Sequence, residues 1–170
     1  LVTCLHLQVL HLDLKTRNVL LASSGAEGKG VVCKVSDFGL SVRMDHTATH
    51  VSSMFQGTIT HMAPELLLKG TCSKASDVYA FGIVMWELFT CGFPFRGVPA
   101  ALLGHTIVKD AKRPAWPPVV PSGYKDLANA CWDQNPDARC MEVSVINAWP
   151  FGVGTRNWPS PMHGMGICHA

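Results

Sequence analysis

The chain has 170 residues, with 14 Lys+Arg against 12 Asp+Glu, a formal net charge of +2. At 48% hydrophobic and 15% charged residues it has the composition of a globular domain long enough to bury one core. So small a charge excess argues against general binding to nucleic acid or to an anionic membrane, and no apolar stretch is long enough for a membrane span: the best candidate, Ala80 to Cys91, is short and carries Glu87.

No signal-peptide pattern opens the chain. It starts at Leu1 rather than Met, so it is expected to be a piece of a longer protein. Seven cysteines, an odd number with no CxxC pair, suggest reduced thiols and a cytoplasmic setting rather than a disulfide framework or a zinc site. His46 and His50 could share one helical face, but no third ligand lies nearby.

In chain order, Leu1 to Leu10 reads as the end of an apolar helix. Asn18 to Ala22 and Val31 to Val35 read as two short strands joined by the Gly- and Ser-rich turn 23–30, a β-hairpin. Residues 39–62 have no clear period and read as a long loop. Asp77 to Cys91 is apolar nearly all round, as a buried central helix would be, with Ser76 as its cap and Gly92 and Pro94 as its stop. A helix is expected from Pro99 to Lys109, irregular chain over 113–121, and a short helix over Tyr124 to Trp132. From Cys140 to Ala170 the chain is rich in Gly and Pro and shows no period beyond Glu142–Ala148.

The stretch HLDLKTRN, His11 to Asn18, carries an acid, a base and an amide. An antiparallel hairpin brings its two open ends together, so Asn18, the first residue of the first strand on this reading, meets Asp37 after the second. Asp13 and Lys15 lie on the turn just before Asn18. A carboxylate and an amide oxygen suit Mg²⁺, which takes a few hard oxygen ligands and shares the rest with phosphates. An ammonium suits a phosphoryl group, and a second carboxylate can accept a proton. Together these are the parts of phosphoryl transfer.

HLDLKTRN resembles the catalytic loop of protein kinases, and Asp37-Phe38-Gly39 resembles their metal-binding motif. The resemblance continues in order through Gly57-Thr58, Met62-Ala63-Pro64-Glu65, the stretch Ser76 to Gly82, Trp86-Glu87, Pro94-Phe95, Arg113-Pro114, Cys131-Trp132 and Arg139. It covers residues 1–139 and leaves 140–170 as a divergent tail. It implies a mainly α fold: the lower (C-terminal) lobe of a kinase domain, with a small β-hairpin carrying the site, a central buried helix and the upper lobe absent. It implies that Asp13 orients the substrate hydroxyl and accepts its proton, that Lys15 neutralises the moving phosphoryl group, and that Asn18 and Asp37 hold Mg²⁺. Leu20 is implied to join Lys15, Asn18 and Asp37 in contacting ATP. Thr58 is implied to contact Asp13 and Lys15 and seat the substrate. Glu65 and Arg139 are implied to form a buried ion pair, Asp77 to hold the catalytic loop, and His11 and Phe38 to stack. Lys15 with Thr58 resembles Ser/Thr kinases, and the central helix resembles that of the tyrosine-kinase-like group, which includes the Raf-like and mixed-lineage kinases. ATP and a protein with a Ser or Thr acceptor are the implied partners.

The chain departs from the family pattern in three places. Leu12 stands where many kinases have an Arg that pairs with a loop phosphate, so phosphorylation of Thr47, Thr49, Ser52 or Ser53 is not expected to act by that route. The glycine-rich loop and strand lysine are missing, and SSGAEGKGV does not replace them: Gly28-Lys29-Gly30 lacks the Ser or Thr and the glycine spacing of a P-loop. The pattern stops after Arg139. Two expectations follow: a functional Ser/Thr kinase whose upper lobe is not included, or a catalytically inactive lobe that works as a protein-interaction module.

Overall fold

A computed structural model describes residues 8–23, 30–44, 51–52 and 56–139 of the chain. In order, these form β1 (Val9–Leu10), a 3-10 turn (Thr16–Asn18), β2 (Val19–Ser23), β3 (Val31–Val35), β4 (Val42–Arg43) and β5 (Val51–Ser52). A second 3-10 turn (Ile59–His61) leads into α1 (Pro64–Lys69), β6 (Thr71–Cys72), α2 (Lys74–Thr90), α3 (Ala100–Val108), α4 (Ser122–Cys131) and a third 3-10 turn (Pro136–Ala138). The strands pair only in antiparallel twos, β1 with β4, β2 with β3 and β5 with β6.

The centre is α2, whose residues Ala75–Ala80 and Gly82–Trp86 are buried. It starts earlier than the apolar pattern suggested. Ser73, not Ser76, is the cap residue; Ser76 sits three positions in, and its hydroxyl accepts the Ser73 N–H at 3.1 Å, one arm of a capping box. It ends at Thr90 with Cys91 in the left-handed conformation (φ 50), not with Gly92. Gly92 serves close packing instead, since a Cβ there would lie 2.9 Å from the Trp86 ring. Near its middle, Gly82 lets α4 approach: a Cβ would meet the Cys131 Cβ at 3.0 Å and the Ala128 carbonyl oxygen at 3.1 Å.

Around α2 lie three apolar clusters. Tyr79, Ile83 and Trp86 pack with Ala63, Ile107 and Trp132. Ala80 and Val84 pack with Leu14, against the partly buried Val19 and Val35 of the hairpin. Leu10, Leu12, Met44, Met62, Leu66 and Cys72 form the third. Each fully buried large side chain of this kind stabilises by about 1.5–3 kcal/mol. Arg113 and Arg139 place their guanidinium carbons 5.0 and 5.1 Å from the centre of the Tyr79 ring, which ties the chain on both sides of α4 to the central helix.

Several expectations need correction. Residues 8–10 do not continue a helix; Gln8 turns with φ 57, and Val9–Leu10 pair with Val42–Arg43. A short apolar run fits a buried strand as well as a buried helix, and Leu10 is fully buried. Residues 1–7 lie outside the described residues. The 39–62 loop contains β4, β5 and the turn Ile59–His61, because its strands find partners far away in sequence. The first hairpin strand starts at Val19, and Asn18 closes the preceding 3-10 turn. Helix α1 was not expected, although Pro64 at its first position was a signal. Helices α3 and α4 lie within two residues of the expected spans, and 113–121 is irregular. His46, His50, the turn 24–29 and the tail from Cys140 lie outside the described residues.

Candidate active site

Apart from the 3-10 turn Thr16–Asn18, the stretch 11–18 is held by buried groups rather than by secondary structure. Asp77, 1% exposed, accepts the His11 N–H at 2.7 Å and the Leu12 N–H at 2.9 Å. Burial pushes its carboxyl upward, opposed by those N–H bonds. The bonds hold Leu12 at φ 64, a left-handed conformation uncommon for a residue with a side chain. The buried Leu12 packs with Met44, Met62 and Leu66. Gly57 passes directly over this stretch at φ 118, where a Cβ would lie 2.9 Å from the Leu12 carbonyl oxygen, so only glycine fits.

That close approach delivers Thr58 to Asp13. The Thr58 N–H and hydroxyl donate to Asp13 Oδ1 at 3.0 and 2.8 Å. Lys15 Nζ donates to Asp13 Oδ2 at 2.6 Å and to Thr58 Oγ1 at 2.9 Å. Asn18 Nδ2 donates to the Asp13 carbonyl oxygen at 2.8 Å and to Oδ2 at 3.2 Å. Asp13, Lys15, Asn18 and Thr58 thus form one network. Burial raises the Asp13 carboxyl, but the Lys15 and Thr58 bonds outweigh it and hold the group below the ordinary carboxylate value. A depressed folded pKa gives stability that is present above the unfolded value of about 3.9 and is lost as the pH falls through the folded value. In thermal denaturation, Asp13→Asn is therefore expected to melt below the wild type at neutral pH, the gap closing on acidification below about pH 4. A gap that widens in acid would contradict this.

The hairpin register pairs Val19 with Val35, and the Ser36 N–H donates to the Asn18 carbonyl oxygen at 2.8 Å. Asn18 therefore stands opposite the residue just before Asp37. Asp37 is exposed, with φ 62. His11 accepts the Asp13 N–H at Nδ1 (3.3 Å) and donates from Nε2 to the Ser36 carbonyl oxygen (2.9 Å), an arrangement that requires the neutral ring. Phe38 meets that ring edge-on, centroids 4.9 Å apart. Leu20 is 55% exposed on β2, with Leu21, Val31 and Val32 also exposed.

Glu65 and Arg139 join α1 to the far end of the described chain. Arg139 Nη1 and Nη2 reach the two Glu65 carboxylate oxygens at 2.8 and 2.7 Å. The same guanidinium donates to the carbonyl oxygens of Ala75 and Asp133. The sequence reading missed Glu87 as a site residue. Its Oε2 accepts the Thr16 hydroxyl at 2.8 Å and the Thr16 N–H at 3.4 Å, and lies 3.2 Å from His61 Nε2. The His61 approach is close enough for an ion pair but too poorly aligned for a hydrogen bond. Burial raises the Glu87 carboxyl, but the His61 and Thr16 contacts outweigh it and bring it below its ordinary value. The signal was a carboxylate within the apolar run that follows Asp77 in the helix.

Among the described residues no group of three or more His, Cys, Asp or Glu is placed to hold a metal by itself. A Mg²⁺ held by one carboxylate and one amide oxygen and completed by phosphates needs no such group, and the hairpin brings those two donor types, on Asp37 and Asn18, to its open end. No described helix is long and apolar enough to cross a membrane.

The family described as protein tyrosine and serine/threonine kinase matches residues 5–148, nine residues past Arg139. The dual specificity protein kinase splA of Dictyostelium discoideum is 36% identical over 146 residues, covering 81% of this chain and 6% of that protein. Mitogen-activated protein kinase kinase kinase 11 of Homo sapiens is 36% identical over 142 residues, covering 81% and 16%. Mitogen-activated protein kinase kinase kinase 12 of Rattus norvegicus is 33% identical over 136 residues, covering 79% and 14%. The chain thus spans no more than about a sixth of the length of these relatives. The catalytic-loop network, the helical fold around α2 and a match over most of its length together place this chain in the protein tyrosine and serine/threonine kinase family.

Proposed function

We propose that the chain is the lower-lobe portion of a kinase domain, residues 1–139 followed by a divergent tail, and that in the full-length gene product it directs the ATP γ-phosphoryl group to Ser or Thr hydroxyls of proteins. The single observation that carries this reading is the Asp13 carboxylate, hydrogen-bonded by Lys15, Thr58 and Asn18 at the mouth of the hairpin. ATP with Mg²⁺ supplies the phosphoryl group and charge neutralisation when bound; Asn18 and Asp37 are the residues that would hold the cation.

The chain's own groups divide the remaining work. Asp13 receives four donors, two on each oxygen. Lys15, the more exposed partner at 23%, gives up Oδ2 to neutralise incoming negative charge. That oxygen then accepts the proton of the substrate hydroxyl, as a general base of depressed pKa can once the charge around it changes. Thr58 keeps its two bonds to Oδ1 and fixes the carboxylate plane. The Lys15–Thr58 bond supports Ser/Thr specificity, and the relatives named as mitogen-activated protein kinase kinase kinases support a protein substrate.

Phosphoamino-acid analysis after incubating the full-length gene product with labelled ATP and a mixed protein substrate tests this. Label on Ser and Thr is expected. Label on Tyr alone overturns the specificity. No label, with partner proteins retained, favours the interaction-module reading, which draws on the exposed apolar residues Leu20, Leu21 and Val31 of the hairpin.

A further inference from the structure

Helix α2 carries two carboxylates in contact with the catalytic stretch, one near each end. Asp77 takes the N–H groups of His11 and Leu12; Glu87 takes the N–H and hydroxyl of Thr16. The helix rises about 15 Å between the two carboxylate positions, and an extended chain from His11 to Thr16 reaches about 16 Å. The stretch is thus long enough to be attached to the helix at both ends. Asp77, Ala80, Val84 and Glu87 follow the i, i+3, i+7, i+10 spacing of one helix stripe. Leu14, midway along the stretch, packs on Ala80 and Val84, midway along that stripe.

We propose that Glu87 is a positioning residue: it anchors the C-terminal end of the catalytic stretch to α2 and thereby sets where Lys15 and Asn18 stand relative to Asp13. This rests on the phosphoryl-transfer reading above. Thr16 opens the 3-10 turn Thr16–Asn18, so its N–H has no partner within the turn, and Lys15 before it provides no side-chain cap. Glu87 supplies the missing acceptor from another element. Because Thr16 is turned under the stretch toward Glu87, Lys15 and Asn18 on either side of it are free to reach Asp13. The same carboxylate lies against His61, the last residue of the turn that follows Thr58. Glu87 therefore sits beneath both segments that meet at Asp13. A carboxylate in an apolar helix is costly to bury, and its partners here all belong to those two segments.

The test uses the full-length gene product with Glu87→Ala, Glu87→Gln and Thr16→Val. Steady-state kinetics, ATP affinity, melting temperature and amide hydrogen exchange are measured on each. Displacing a reacting group by about 1 Å can cost on the order of 100-fold in rate. A fall in kcat of about tenfold or more is therefore expected for Glu87→Ala and Thr16→Val, larger than any accompanying loss of ATP affinity and without a matching fall in melting temperature. Amides 16–18 should exchange faster while those of α2 do not. Glu87→Gln, which still accepts from the Thr16 hydroxyl, should recover most of the rate. If Glu87→Ala fails to fold, Thr16→Val and Glu87→Gln decide on the same criteria. Unchanged kcat and unchanged exchange in an active enzyme overturn the anchoring role and leave the kinase reading standing. Parallel loss of kcat, ATP affinity and melting temperature also overturns it, since that is a structural role only. A wild type without transfer whose amides 16–18 still lose protection in Glu87→Ala keeps the anchor and overturns the kinase reading.

Discussion

Asp13→Asn in the full-length gene product is expected to lower kcat for protein phosphorylation by about 10²–10⁴-fold, the usual contribution of a positioned general base, while leaving ATP affinity nearly unchanged. Asparagine keeps the size of the side chain, and its Oδ1 can still accept from the Thr58 N–H and hydroxyl, which now hold the Asp13 carboxylate at 3.0 and 2.8 Å. What it loses is the charge that holds Lys15 at 2.6 Å and the ability to take a proton. The nucleotide contacts assigned to Asn18 and Asp37 remain. A split between kcat and ATP binding is therefore the signature to measure, by initial rates alongside equilibrium nucleotide binding. A variant that retains more than about a tenth of the wild-type rate would mean that Asp13 does not act as the base.

Arg139→Ala is expected to destabilise the fold by about 3–5 kcal/mol, the cost of leaving one partner of a buried ion pair unpaired. Arg139 is 3% exposed and makes two short bonds to Glu65 besides those to the Ala75 and Asp133 carbonyl oxygens. Its loss strands the Glu65 carboxylate, whose other bond is from the Ser76 hydroxyl at 3.0 Å. It also removes one of the two guanidinium groups over Tyr79. Against a typical domain stability of about 5–15 kcal/mol, that loss unfolds a large fraction of molecules at moderate temperature. Denaturant unfolding should show the lowered midpoint. Arg139→Lys should fall in between, because an ammonium keeps the charge but not the forked geometry. The double variant Arg139→Met with Glu65→Leu should recover stability relative to Arg139→Ala, since an apolar pair leaves no stranded charge. A double variant as unstable as the single one would place the cost in lost packing rather than in charge.

How far the site could be read from sequence depended on range. Asp13, Lys15 and Asn18 lie within six consecutive residues, so their spacing alone suggested an acid, a base and an amide working together. Asp37 was reachable because a hairpin is a local structure whose turn residues and strand lengths fix which ends meet. Asp77, Glu65 and Arg139 entered only through resemblance, since nothing in their neighbourhoods names a partner more than sixty positions away. Glu87 was visible as a misfit in an apolar helix, but not as a bond to Thr16, for the same reason.

The sequence by itself determined the elements whose signals are periodic or consecutive: the buried helix α2, the hairpin β2–β3 and the polar stretch 11–18 that precedes it. Tertiary structure alone decided where α2 starts, that residues 8–10 are a strand, that Leu12 takes a left-handed conformation and that Gly57 must be glycine. The division is physical. Side-chain periodicity reports which face of a segment is apolar, whereas the conformation of an unpaired stretch is set by whichever distant donors and acceptors satisfy its backbone. Here those are the carboxylates of Asp77 and Glu87 on one helix.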